Sequence, residues 1–529
     1  MRDRPTRRAV LGALGALAAA ATGATAGASV RTAAATGSGY SGRPVEIDSF
    51  DGTTLAGRFT TPDGEGPFPS VLMTHGWGGD HGSERVRRLT DLYAGHGYAV
   101  LAYDSRGFGE SGGRVGVDGP NEVRDVSALL DWLAARPTVA TDAPGDPTVG
   151  MDNVSYAGGI QLEAAAEEPR LDAIVPRWAW NDLPYSLAPN GVVKAGWDAL
   201  LYATGITGSR GLTSGDGWPT YEDVENGLDP EVHGTILYAT ATNEFPDEGR
   251  AYYAARSPGR KLDAVETPTL LVSGWPDTLF VPNEAIRTFE GLRERGVETR
   301  LVLFQGGHTL TDTAGAEQRR VLDDLALAWL DEHVAGRGAA DLAPVTFYEV
   351  QTGRFRRANA LPPANADART IDLADASSLD ATTIANTLVP TSTSQLSPVN
   401  GDHVPGTAAH FDVPIERDLE VLGAPRLSLR VSPLGPDAQL FAKFYHLSDG
   451  DATLVGNQVT PLRLRGTDER TVRAEMVAIQ RRLRAGDALR FTVATTDAGF
   501  YNSREAVGVT VHHAPDESTV EVPVVARRD

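Results

Sequence analysis

"GMDNVSYAGGIQ", Gly150 to Gln161, sets one serine between an apolar run and a helix-forming stretch. A serine nucleophile carried on an α/β sheet sits in such a strand-to-helix turn. Its usual pattern is G-x-S-x-G, because the strained turn leaves no room for side chains two residues before and after the serine. Here those places hold Asn153 and Ala157. Asn tolerates positive φ better than other residues with a side chain, and its amide can bond to turn backbone, so Asn153 is expected to absorb the strain. Ala157 is the smallest replacement for glycine. The stretch reads as a strained but buildable elbow with Ser155 at its tip, and Asp152 as a solvated turn residue.

Outward from the elbow, short apolar runs recur at "PSVLMT" (69–74), "YAVLAY" (98–103), "PTVGM" (147–151), "LDAIVP" (171–176), "TPTLLVSG" (267–274) and "TRLVLF" (299–304). Parallel strands covered on both faces look like this. Helical patterns alternate with them: Ser83-Glu84 opens "VRRLTDLYAGHG", Asn121 opens "EVRDVSALLDWLAA", and "AEQRRVLDDLALAWLDEHV" closes the series. The alternation predicts an α/β domain over residues 39–338. Its rhythm is lost at about 178–262, where "WPTYEDVENGLDP" and "RAYYAARSP" scatter Gly, Pro, Trp and Tyr, as in a cap over a pocket. Residues 339–529 begin with a Pro, Ala and Asp-rich linker. Short alternating segments such as "LSLRVSP", "QLFAKFYHL" and "ALRFTVATT" follow, predicting a β-sandwich.

The first 38 residues stand outside both domains. Arg7 and Arg8 precede a run without charge from Ala9 to Val30, with Ala-x-Ala sites behind it. That pattern predicts a signal peptide of the twin-arginine type and export in the folded state to the cell surface or beyond. An uncleaved anchor is the alternative, but the run is Ala- and Gly-rich and only weakly hydrophobic, so no stable membrane insertion is expected once it is removed. A formal charge of −22 argues against a nucleic-acid partner. The absence of cysteine excludes disulfides, thiolate catalysis and Cys-ligated metal sites. Only three lysines occur, Lys194, Lys261 and Lys443.

A serine hydroxyl needs a histidine to take its proton and a carboxylate to orient that histidine. In an α/β-hydrolase the three follow in the order Ser, Asp, His at strand ends. Ser155 follows "PTVGM", Asp277 follows "TLLVSGWP" and His308 follows "RLVLFQGG", which makes these three the predicted catalytic residues. The oxyanion hole is assigned to the backbone N–H groups of Tyr156 and of Trp77 in "THGWGGDHG". Trp178, Trp180 and Trp275 are the predicted walls of an apolar acyl pocket. His75 is read as a loop histidine bonded to neighbouring backbone, and His81 and His96 as surface residues. Asp104 and Arg106, in "YDSRGFGESGG", are expected to tie their turn together. No metal and no cofactor is expected.

With these residues placed, the chain resembles the Xaa-Pro dipeptidyl-peptidase and cocaine-esterase-like (CocE/NonD) serine hydrolases. The matching pieces are "HGWGGD", "YDSRGFGESGG", "VSYAGG", "SGWPDTLF" and "GGHT" in the first half, then "DLEVLGAPRLSLRVSP" and "LRAGDALRFTVATTD" in the second. The resemblance implies an α/β-hydrolase with a helical cap and a C-terminal jelly roll, with Ser155, Asp277 and His308 as nucleophile, acid and base. It departs at Asn153, where the family usually has glycine. It also departs at "HGWGGD", which lacks the tyrosine that cocaine-esterase-like members use as an oxyanion donor. The expected activity is hydrolysis of small acyl esters, amides or short peptides through an acyl-enzyme, with aryl esters favoured over Ala-Pro anilides. The alternatives are an Xaa-Pro dipeptidyl-peptidase and a catalytically weak protein that binds a glycan or polymer.

Overall fold

A computed structural model describes residues 39–209, 227–308, 314–386 and 407–527. The leader at 1–38 lies outside them, as does "TYEDVEN" of the cap. Ten strands form the first sheet: β1 (Tyr40–Asp48), β2 (Thr54–Pro62), β3 (Ser70–Met73), β4 (Ala99–Tyr103), β5 (Val149–Val154), β6 (Ala173–Arg177), β7 (Thr269–Gly274), β8 (Thr299–Phe304), β9 (Val345–Glu349) and β10 (Arg354–Ala358). Their spatial order is β1-β2-β4-β3-β5-β6-β7-β8-β9-β10. The pairings from β4 through β3 to β9 are parallel, while β1, β2 and β10 join antiparallel at the two edges. Every residue of β3 to β7 is buried, which accounts for their unbroken apolar sequences.

Helices cover both faces. On one, α1 (Glu84–Gly95) and a long helix at Gly315–His333 pack Leu89, Tyr93, Leu322 and Trp329 against Val71, Val100 and Val175. On the other, α2 (Pro120–Ala134) and α3 (Tyr156–Ala165) pack Val126, Leu130 and Ile160 against Leu72, Leu101 and Met151. Helix α2 starts two residues earlier than the sequence suggests, capped by Gly119 in place of Asn121. Pro120 takes the first turn, where a missing N–H costs nothing, and the Glu122 carboxylate accepts from the Gly119 N–H at 3.1 Å. Between β6 and β7 the chain forms the cap, including α4 (Leu183–Leu187), α5 (Ala195–Gly208), α6 (Pro230–Thr242) and α7 (Asp247–Ala254). The sheet also continues past Gly338, because β9 and β10 extend it on the far side of β8.

The rest is an all-β domain of two antiparallel sheets. One runs in the order 381–385, 508–512, 426–433, 519–526, 419–423, 479–483; the other runs 408–414, 488–494, 437–448, 451–465. Leu429, Val431, Leu440, Phe491 and Val509 fill the space between them. The two domains share interior. Trp275, Phe289 and Phe347 of the first pack in one cluster with Leu422, Ala478 and Val525 of the second, and Tyr501 of the second enters the core of the cap. Two of the three lysines are buried: Lys194 donates to the Leu279 carbonyl at 2.7 Å, and Lys443 sits 2.7 Å from Asp497. Lys261 pairs with Glu163 at 2.7 Å and with Glu167 at 3.2 Å, its side chain 29% exposed. Among the described residues no helix is long and apolar enough to cross a membrane.

Candidate active site

Strand β5 delivers Ser155 to the head of α3, and the backbone strain falls on the serine itself, at φ 62° and ψ −120°. A residue with a side chain in this region costs about 1–3 kcal/mol. Asn153, the residue expected to carry the positive φ, is instead ordinary buried strand. Its Nδ2 donates to the Thr74 carbonyl at 2.7 Å and its Oδ1 accepts from the Val154 N–H at 2.9 Å. The need for glycine appears later, where α3 passes the end of β6: a Cβ on Gly158 would lie 2.7 Å from the Arg177 carbonyl, and one on Gly159 would lie 2.1 Å from the Trp180 ring.

Asp152 is not solvated. Fully buried, it accepts from Arg177 through Nε at 2.7 Å and Nη2 at 2.6 Å, and from the Tyr93 hydroxyl at 2.5 Å. Arg177 continues to Asp323 at 3.0 Å, which Arg88 also reaches. A carboxylate in a dry interior needs such partners, and a bidentate guanidinium supplies them.

Ser155, His308 and Asp277 meet in one row. His308 Nε2 lies 2.8 Å from Ser155 Oγ, and Nδ1 lies 2.8 Å from Asp277 Oδ2. An ionised carboxylate only accepts, so Nδ1 carries the proton and Nε2 is left free to receive the serine's. Asp277 has no solvent exposure. Its Oδ1 accepts from the Leu279 and Phe280 N–H groups at 3.0 and 2.9 Å, and its Oδ2 also accepts from the His308 N–H at 2.9 Å. The edges or faces of Phe280, Trp178 and Trp197 stand 5.0, 5.8 and 5.9 Å from the imidazole, centroid to centroid, and shield it from water.

The Tyr156 N–H opens α3 and has no helical acceptor. Trp77 follows Gly76, whose Cβ position would lie 4.0 Å from Ser155 Cβ. The indole of Trp77 is fixed by a 2.7 Å bond to the Leu201 carbonyl of α5. His75 is fully buried, with Nδ1 donating to the Gly76 carbonyl at 2.8 Å and Nε2 accepting from the Ser105 N–H at 3.2 Å; burial pulls its pKa down. His81 is no plain surface residue. Its Nδ1 lies 2.8 Å from Asp104, a hydrogen bond that raises its pKa. Asp104 and Arg106 do not pair with each other. Asp104 holds His81 and the Glu110 N–H, and the Arg106 guanidinium is filled by Asp125 and Asp51. His96 caps its own helix end through the Leu92 carbonyl and is exposed.

Ser155 opens into a narrow cavity of about 70 Å³ beneath the cap, with walls that include Trp77, Trp180, Leu183, Tyr202, Ile236 and Phe280. Two of the three expected tryptophan walls lie elsewhere. Trp178 stacks on Phe304 behind the imidazole and carries Arg85 on its face at 4.8 Å. Trp275 is 1% exposed and donates to the Tyr348 carbonyl at 3.1 Å, because β7 ends where the second domain covers it.

Among the described residues Asp198 is the one acidic side chain on the cavity wall, and it is not among the residues singled out from the sequence. Its carboxylate shares a hydrogen bond with the Tyr501 hydroxyl, its Oδ2 has no partner among the described residues, and burial pushes its pKa up to about 7. An aspartate inside the otherwise apolar "AGWDALLYATGITG" was the available signal. Of the other cap acids, Asp182 caps α4 by accepting from the Tyr185 N–H at 3.0 Å, and Glu222, Asp223 and Glu225 lie outside the described residues. Lys194, beneath the acid loop, has its pKa pushed down to about 8 by burial.

Comparison with known proteins places this geometry. Residues 337–514 match the X-Pro dipeptidyl-peptidase C-terminal non-catalytic domain. The Xaa-Pro dipeptidyl-peptidase of Lacticaseibacillus casei is 25% identical over 413 residues, 72% of this chain and 50% of that protein. The chain thus spans about half the length of that curated relative, and the match to a putative Xaa-Pro dipeptidyl-peptidase of Rhodopirellula baltica covers 34% of it. Among solved structures, a CocE/NonD family hydrolase from Staphylococcus aureus superposes with a TM-score of 0.68 at 17% identity, over 92% of this chain and 96% of its own. An α-amino acid ester hydrolase gives 0.68 at 16% identity, over 94% and 98%. These likenesses establish the α/β-hydrolase fold with an all-β C-terminal domain. Residues 51–310 match the X-Pro dipeptidyl-peptidase (S15 family) pattern, and with its C-terminal partner domain in place the chain belongs to that family of serine-type peptidases and esterases.

Proposed function

We propose that this protein is an exported serine hydrolase that cleaves small acyl esters or amides through an acyl-enzyme. Ser155 Oγ attacks the acyl carbonyl while His308 Nε2 takes its proton. Asp277 holds the imidazole in the accepting tautomer and stabilises the imidazolium. The N–H groups of Trp77 and Tyr156 receive the oxyanion. His308 then protonates the leaving group, and water repeats the cycle in reverse on the acyl-enzyme. The observation that carries the reading is the Ser155–His308–Asp277 row, linked at 2.8 Å on each side, opening into a largely apolar cavity. A fluorophosphonate probe tests it. Labelling of the wild type that disappears in Ser155→Ala supports the enzyme; a folded wild type that is not labelled supports a binding protein instead. For export, replacing Arg7 and Arg8 by lysine is expected to block secretion, and mass spectrometry of secreted wild type is expected to find a chain beginning near residue 36.

Asp198 favours a second reading, in which the acyl group carries a free amine. The dipeptidyl-peptidases and the α-amino acid ester hydrolase among the relatives bear names that imply such substrates. A substrate ammonium would give a partner to Asp198 Oδ2, which has none among the described residues, beside the Tyr501 hydroxyl that the carboxylate already holds. Comparing kcat/KM for 4-nitrophenyl butyrate and Ala-Pro-4-nitroanilide separates the readings: the ester is expected to be the better substrate, and a clear preference for the anilide establishes the second.

A further inference from the structure

The hairpin formed by Asp437–Ser448 and Asp451–Arg465 in the second domain is broken in register. Lys443 pairs with Val459, but pairing resumes only at Tyr445 with Leu454, so Phe444 stands opposite four residues, Val455 to Gln458. Gly456 and Asn457 take φ of 61° and 57°, and the extra residues swell out of the sheet. Bulges of this kind re-aim side chains. Here the swelling meets the loop that carries Asp277: a Cβ on Gly456 would lie 3.5 Å from the Trp275 carbonyl.

Gln458 is 4% exposed, and its Nε2 donates to the Trp275 carbonyl at 2.7 Å and to the Asp277 carbonyl at 2.9 Å. No other donor among the described residues reaches either carbonyl. The main chain on both sides of the Asp277 side chain is thereby fixed from the second domain, while the carboxylate is fixed from the first by Leu279, Phe280 and His308. We propose that Gln458 is a positioning residue of the hydrolytic site: the C-terminal domain, through its bulged hairpin, holds the catalytic acid in line with His308. The proposal rests on the triad reading above.

The step that depends on it is proton transfer. An acid loop free to relax moves Asp277 Oδ2 relative to His308 Nδ1, and catalysis is lost steeply with small misplacements. The cavity under the cap is lined by Leu279 and Phe280 further along this loop but not by Trp275 or Asp277, whose carbonyls Gln458 holds. In Gln458→Met, which keeps the length and removes the donor, kcat for 4-nitrophenyl butyrate is expected to fall ten- to a hundredfold with KM within twofold of wild type. Gln458→Glu, matched in size and lacking the amide donors at pH 8, is expected to fall similarly. On an Asp277→Asn background, Gln458→Met is expected to lower kcat by less than threefold, because residues that act as one unit are not additive. A folded Gln458→Met with kcat within twofold of wild type, or a full additive loss on the Asp277→Asn background, overturns the proposal. So does a failure of both Gln458 variants to fold, which would make the residue one of stability alone. Full activity in Ser155→Ala would instead overturn the triad reading, independently of what Gln458 does.

Discussion

Every lone-pair direction of the Asp277 carboxylate is occupied, by three backbone amides and one imidazole. Asn at this position can keep only one set of bonds: with its carbonyl on the Leu279 and Phe280 N–H groups it turns its NH2 to His308, which favours the wrong imidazole tautomer. Asp277→Asn is therefore expected to lower kcat about 10⁴-fold while circular dichroism stays unchanged. Asp198 poses the opposite case, an acid with one oxygen unpartnered among the described residues and with a pKa pushed up to about 7 by burial. The folded state holds this proton more tightly than the unfolded chain does. Its penalty is thus absent below about pH 4, develops as pH rises toward 7 and is complete above it. Asp198→Asn is expected to raise stability to urea by about 1–3 kcal/mol at pH 8 and to leave it unchanged at pH 4. If the amine-bearing reading holds, the same variant loses activity on the anilide while the butyrate ester is unaffected. At this scale Ser155, Asp277 and His308 were legible because each directly follows an apolar run. Asp152 was not legible, since the partner that buries it, Arg177, stands 25 positions away and is brought close only by the pairing of β5 with β6.

Helix α3 runs so close to β6 and the start of the cap that its first turn has no space for side chains on one face. Gly159 meets the Trp180 ring, which is 2% exposed and held by a 2.7 Å bond to the Arg256 carbonyl, so the ring cannot withdraw. Gly159→Val is expected to cost about 3 kcal/mol or more and to appear as a large fall in Tm together with loss of activity. Gly145→Ala, in open space at φ 83°, makes the useful contrast: its cost is local backbone strain only, with kcat unchanged. The same packing explains which elements could be read in advance. Six strands buried on both faces show as apolar runs. Strand β1, alternately exposed, and β10, at the far edge, carry polar residues at most positions and merge with their surroundings. The elbow was visible as a strand-to-helix switch, but its glycine requirement depends on the neighbouring strand and not on the turn alone.

The two domains are joined by a common apolar cluster and by buried polar bonds such as those of Gln458, and of Asn283 to the Met476 carbonyl at 3.1 Å and from the Ala478 N–H at 2.7 Å. A molecule joined in this way is expected to unfold as one unit. Scanning calorimetry of the chain should give a single transition, and two well-separated transitions would mean the interface is weaker than its burial implies. The scarcity of lysine has a practical side. Two of the three amines are enclosed, and the third is bound to a pair of glutamates. Reagents that acylate amines, including common dyes, crosslinkers and activated resins, will find only Lys261 and the chain's amino terminus. Stable labelling of amines should stop near two groups per molecule, so attachment to a surface is confined to two points without engineering them.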